Sequence, residues 1–178
     1  MKWKNMDGDT TLFFITATIT EWKPLLAEHE PRAILLKDLD FYRAKYLCGI
    51  LAYVVMPEHY HLVVEFKQAG DLHGWLRDLQ GHTSNEISKW LRATADADEL
   101  AVYVRHANGG SKLAIWKEQA RAAGIVSEAV LRTKIDYIHK NPLTRGLVDE
   151  PGEWPWSSWR NYYLDDDTVF RVDKLWAP

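Results

Sequence analysis

The stretch "MPEHYHLVVEF", residues 56–66, decides how the rest of the chain is read. A proline turn at Pro57 and Glu58 leads into a run of strand-forming residues. Successive side chains on a strand point to opposite faces. Tyr60, Leu62, Val64 and Phe66 therefore form one greasy face, which belongs to a core. His59, His61, Val63 and Glu65 share the other, which begins polar and is expected to face a cleft.

Outward from this strand the pattern alternates between strands and helices. The preceding "LCGILAYVVM" is apolar on both faces, the pattern of a central strand. Further upstream, "TLFFITATIT" alternates, with Phe13, Ile15, Ala17 and Ile19 on one side and threonines on the other. Between them, Pro31 suits the first turn of a helix, and Leu35, Leu39, Tyr42 and Tyr46 give it one buried stripe. Downstream, "GDLHGWLRDLQGHTSNEISKWL" reads as one helix or two, with Gly81 a candidate break. "LAVYVRHANGGSKLAIWKE" reads as a hairpin turning at Asn108 and Gly109. Ser127 caps a last helix, "SEAVLRTKIDYIHKNP", which Pro142 is expected to close. Strand, helix, strand, strand, helix, strand and helix in this order predict a ferredoxin-like α+β sandwich with an antiparallel sheet.

Composition bounds the function. The 178 residues suffice for one domain, with residues 150–178 an aromatic and then acidic C-terminal extension. No apolar stretch is long enough to span a bilayer, and the first ten residues lack the apolar core of a secretory signal. The single cysteine, Cys48, lies in an apolar segment and reads as a small buried hydrophobe. These features predict a cytoplasmic protein. The net charge of −3 is not that of a typical nucleic-acid binder. The acid is concentrated in "DADE" and in Asp165, Asp166 and Asp167, however, whereas Arg132, Lys134, Lys140 and Arg145 gather in one segment.

Two imidazoles two residues apart on a strand have Cα atoms roughly 6.5 Å apart and point the same way. His59 and His61 either converge on one divalent ion or are two surface histidines. In the last helix, at about 100° per residue, Leu131, Ile135 and Ile138 form the core stripe. Tyr137 lies off that stripe, with Asn141 and Lys134 beside it. A tyrosine so flanked is placed as a nucleophile or covers the edge of the core. Asp136 and His139 point elsewhere, and Glu65 is an outside candidate two pairs along the histidine face.

"VVMPEHYHLVVEF" together with "LRTKIDYIHKNPLTRGLV" resembles the single-tyrosine HUH transposases, and most closely the REP-associated tyrosine transposases. The segment "EWPWSSWRNYY" is similar to a tryptophan- and serine-rich segment that follows the tyrosine block in that family. The resemblance runs from the first strand to about Tyr163. Leu143 and Thr144, the segment "KEQARAAGI" and the acidic balance depart from the family pattern.

The resemblance implies a metal-dependent transposase that cleaves and rejoins single-stranded or hairpin DNA through a 5′-phosphotyrosine intermediate. His59, His61 and Asn141 would hold Mg²⁺ or Mn²⁺, Tyr137 would be the nucleophile, and Lys134 would help to activate it. Lys140, Arg145 and Trp156 would contact DNA, with Trp154 and Trp159 alternatives for stacking. Members of the family act as monomers or homodimers. The competing readings are a hairpin-DNA-binding protein that no longer cuts, and a metal-dependent phosphoesterase using water.

Overall fold

In the computed structural model, residues 10–68, 70–107 and 110–174 are described. In chain order the elements are β1 (Leu12–Thr18), α1 (His29–Tyr46), β2 (Gly49–Val55), β3 (His59–Glu65), α2 (Asp71–Thr94), α3 (Ala97–Tyr103), β4 (Val104–Ala107), β5 (Gly110–Leu113), β6 (Arg121–Gly124), α4 (Glu128–Thr144) and α5 (Trp159–Leu164). Four strands form one antiparallel sheet in the order β2-β3-β1-β6. Helices α1 and α2 pack together against it. This is the ferredoxin-like α+β arrangement that the element order predicts.

The strand alternation produces two apolar layers. Phe13, Ile15, Leu62 and Val64 meet Leu35, Leu39, Trp75 and Leu79 of α1 and α2. On the other face Phe14, Val54 and Val63 meet Leu131, Ile135 and Ile138 of α4. The histidine-bearing face of β3 is therefore not a cleft along its whole length. Val63 is sealed under α4, and only the His59 end is left for polar groups. In β2 the register shifts between Ile50 and Ala52, and Leu51 and Ala52 both join the layer under α4. Cys48 is buried, and burial pushes its thiol pKa up to about 12.

Several elements depart from the sequence expectations. β2 is an edge strand, not a central one. It is nonetheless buried, because the C-terminal segment covers its edge. Val55 N–H donates to the Trp156 carbonyl, Ser158 N–H to Tyr53, and Asp173 N–H to Ile50. The Tyr162 hydroxyl donates to the Leu51 carbonyl. The fourth strand of the sheet is β6, from the segment "ARAAG", whereas β4 and β5 form a separate two-stranded sheet. Ala101, Val102 and Tyr103 end α3 instead of opening the hairpin. Asp96 caps that helix by accepting from Glu99 N–H, and Asp98 and Glu99 favour its positive N-terminus. The proposed Asn108-Gly109 turn lies outside the described residues.

Helix α2 runs unbroken through Gly81, where an added Cβ would meet nothing within 4 Å. Helix α4 is capped as expected, with Ser127 Oγ accepting from Val130 N–H, but it continues two residues past Pro142. A proline in the last turn forfeits one hydrogen bond without blocking the residues after it. Gly146, at φ 67°, then reverses the chain. No helix among the described residues is long and apolar enough to cross a membrane.

Candidate active site

The end of β3 next to the 57–58 turn presents both imidazoles to α4. Met56 N–H donates to the His59 carbonyl, which closes the turn. His59 and His61 are both buried, with ring centroids 4.7 Å apart. Strand β1 supports them from the side. Thr16 lies opposite His61 in the register, and its Oγ1 is 2.7 Å from His61 Nδ1. The Phe14 ring stacks on His61 at 5.3 Å. One ring nitrogen is thus engaged by a hydroxyl and the ring plane is fixed by an aromatic neighbour, which leaves Nε2 as the functional atom.

Helix α4 brings the second half of the site. The Tyr137 ring stands edge-on to both His61 and Phe14. Its hydroxyl is 3.5 Å from His61 Nε2, a contact longer than a strong hydrogen bond. Half of Tyr137 is exposed, so the phenol faces both the imidazole and solvent. Lys134, one turn earlier, holds its Nζ 4.6 Å from the Phe14 ring centroid. Asn141, one turn later, is buried and within hydrogen-bonding reach of His59. The phenol, both imidazoles, the amide and the lysine converge within a single chain.

Electrostatics in this pocket favour neutral rings. Burial, followed by the positive fields of His59 and Lys134, lowers the His61 pKa to about 3. Burial also lowers His59, with Glu58 opposing the shift. Lys134 is lowered by partial burial alone. Neutral imidazole is the form that accepts a proton or binds a cation.

Asn141 Oδ1 is buried without a hydrogen bond, whereas His59 Nδ1 is buried 3.3 Å from Glu58 Oε1. A buried acceptor without a partner is costly, and its place beside two neutral imidazoles fits an additional electropositive group. Among the described residues, no three His, Cys, Asp or Glu side chains gather into a metal cage. Two imidazoles and an amide oxygen are the donors that could hold a divalent ion here. Imidazole favours the softer divalent ions, and the amide oxygen suits Mg²⁺ or Mn²⁺.

The residues predicted at the periphery are distributed differently. Glu65 is exposed at the far end of β3, opposite Leu12 and Gly49, well away from the histidines. The acidic neighbour is Glu58. Its Oε1 is 3.3 Å from His59 Nδ1 and accepts a 2.7 Å bond from Arg145. The strand count puts Glu58 off the histidines' side, but a turn residue obeys no two-residue alternation, and the structure sets it against His59. The signal was its adjacency to His59. Arg145 therefore rims the site through Glu58, while Lys140 is exposed on α4. Trp156 is half-buried, with the Arg32 guanidinium 3.8 Å from its ring centroid and Trp154 edge-on at 5.0 Å. Trp154 Nε1 donates to the Val55 carbonyl, so this pair fastens the tail beside the same end of the sheet. His139 is buried behind α4, with Nε2 2.9 Å from Ser158 Oγ, and Asp136 is exposed; neither joins the site.

No protein-family model and no curated protein sequence matches the chain. Among solved structures, a REP-associated tyrosine transposase bound to a REP hairpin has the same fold. The TM-score is 0.68 at 18% identity, covering 100% of this chain and 92% of that one. A candidate transposase from Deinococcus radiodurans R1 gives a TM-score of 0.49 at 15% identity, over 78% of this chain and 95% of that one. The likeness to the first of these is one of fold, and that fold is the one the two sequence motifs imply.

Proposed function

We propose that the protein is a tyrosine transposase that cleaves and rejoins single-stranded DNA at a hairpin through a 5′-phosphotyrosine link. The observation that carries this reading is the 3.5 Å approach of the Tyr137 hydroxyl to His61 Nε2. Beside it, Asn141 Oδ1 is buried without a hydrogen bond. The solved protein of the same fold is bound to a REP hairpin, which supports a hairpin as the partner here.

In this mechanism the Tyr137 oxygen attacks phosphorus. A phosphorus–oxygen bond forms to the phenol while the bond to the 3′ oxygen breaks. The outgoing oxygen takes up a proton and leaves as a 3′-hydroxyl. A free phenol has a pKa near 10 and is a poor nucleophile until its proton is removed or its anion is stabilised. His61, neutral because it is buried, would offer Nε2 to a divalent ion while Thr16 and Phe14 hold its ring in place, and the half-exposed Tyr137 gives up its proton to solvent water. Lys134 supplies positive field next to the forming phenolate. A divalent ion held by His59, His61 and Asn141 would polarise the phosphoryl group and offset the charge that develops on it. Lys140 and Arg145 contact phosphates flanking the hairpin, and Trp156 borders the same strand. The link conserves the energy of the broken bond, so a second 3′-hydroxyl can reverse the attack and join a new end. One chain supplies every group, so a monomer suffices for cleavage, and the cytoplasm offers the substrate.

The test is a denaturing gel with a labelled single-stranded hairpin and Mn²⁺. A covalent protein–DNA adduct is expected with the unaltered chain. Tyr137→Phe is expected to abolish the adduct while binding the hairpin with unchanged affinity. Strand scission without an adduct would transfer the nucleophile's role to water. Hairpin binding without scission would leave a recognition protein.

A further inference from the structure

The turn after β1 departs from ordinary backbone geometry. Glu21 and Trp22 are consecutive non-glycine residues with positive φ, 52° and 54°. Side chains with a Cβ are strained in that region, and two in succession persist only where the surroundings impose them. Here the surroundings do so. Ile19 N–H donates to the Glu58 carbonyl, and Thr20 N–H to the Ile115 carbonyl. Thr20 Oγ1 donates to the Ala114 carbonyl, and Glu21 pairs with Arg105 at 3.4 Å. The turn is thereby fastened to the catalytic hairpin on one side and to the 114–115 segment on the other.

This rigid turn displays an aromatic ring. Trp22 is 52% exposed, the only tryptophan among the described residues that is more than half exposed. Its ring lies edge-on to His59 with centroids 6.1 Å apart. Lys117 Nζ sits 5.5 Å from the Trp22 centroid, and Lys117 N–H is tied to the Thr18 carbonyl. An exposed indole beside a metal-type histidine, with an ammonium group at its side, buries little of itself in the fold. It has the form of a stacking platform with a phosphate contact.

We infer that Trp22 stacks on an unpaired base next to the scissile phosphate, with Lys117 on an adjoining phosphate, and so sets which phosphate reaches Tyr137. This deepens the transposase reading and rests on it. The backbone strain at 21–22 serves to aim the indole at the histidine end of the sheet. The ligand is an unpaired nucleotide of the single strand, not the paired stem.

Fluorescence anisotropy with a labelled 15-nucleotide oligothymidylate, and with an abasic strand of the same length, tests the inference without requiring cleavage. Trp22→Gly is expected to weaken oligothymidylate binding about tenfold or more, since stacking on one base is worth that much. On the abasic strand the two proteins should bind equally. Glycine accepts the positive φ, so the melting temperature should not fall. Trp22→Phe should recover most of the affinity. Lys117→Ala should weaken both strands equally and reduce the salt dependence by somewhat less than one charge. Unchanged oligothymidylate affinity in Trp22→Gly, or an equal loss on both strands, overturns this assignment alone. So does a loss of affinity accompanied by a lower melting temperature. Failure of the unaltered protein to bind either strand overturns this assignment and leaves the transposase reading to the hairpin assay.

Discussion

The two faces of the central sheet are built from the same strands but have different work. On the face toward α1 and α2, alternate residues of β1 and β3 enter a continuous apolar layer with Trp75 at its centre. On the face toward α4, the layer is apolar only part of the way. It stops at Val63, and beyond that the same strand offers His61 and His59 to Tyr137 and Asn141. Along β3 the side facing α4 switches from apolar to polar between Val63 and His61, and α4 meets it with Ile135 and Ile138 on one stripe and Tyr137 and Asn141 beside it. The switch is abrupt because both elements keep their own period, so the inward positions pass directly from apolar side chains to polar ones.

The sharpest way to break this comparison is to damage the first face and ask whether the second survives. Trp75→Ala, at a fully buried site, is expected to cost about 3–5 kcal/mol in urea denaturation. Activity should be kept in whatever fraction stays folded. If cleavage per folded molecule collapses as well, the two faces are not separable.

A second probe lies behind α4. Burial lowers the His139 pKa to about 4, against an ordinary value near 6.5. Below pH 6.5 the unfolded chain binds a proton that the folded chain refuses. Stability is therefore full above that pH, and falls as pH drops towards 4, by on the order of 3 kcal/mol. His139→Gln should remove its share of that limb, leaving the shares of His59 and His61, with covalent capture in place. The same change with loss of capture would place His139 in the chemistry.

The smallest effect sharpens the contrast most. Asn141→Leu removes a buried oxygen that makes no hydrogen bond. Thermal unfolding is expected to shift by no more than about 1 kcal/mol, because loss of the unsatisfied oxygen offsets loss of the amide's contact with His59. Cleavage should fall at the same time. A residue of the packing face replaced in the same spirit would lose stability and spare cleavage.

Much of this was legible before any coordinates. The stripe Leu131, Ile135 and Ile138 fixed which side of α4 packs, and so which side carries Tyr137, because helical periodicity is strict over four turns. The alternation in residues 59–66 placed His59 and His61 together for the same reason. What the sequence concealed is what depends on distant chain. β2 looks central because it is greasy on both sides, yet its second partner is irregular tail and not a strand. Strand β6 is four residues with two alanines and a glycine, too short and small for any periodic signal. Glu58 and Trp22 reside in turns, where no period applies. The tryptophans singled out near the end of the chain proved half-buried, and the exposed ring stands near the start.

The tail along β2 has a further consequence. An edge strand with free amides is a template on which another chain can add a strand. Here the backbone between Trp156 and Ser158, with Asp173 further on, occupies the donors and acceptors of Ile50, Tyr53 and Val55. The opposite border, β6, is only four residues long and offers little purchase. A chain shortened before residue 151 would keep His59, His61, Tyr137 and Asn141 but acquire an adhesive flank. The segment from Trp156 to Asp173 thus keeps a second chain from adding a strand at this border.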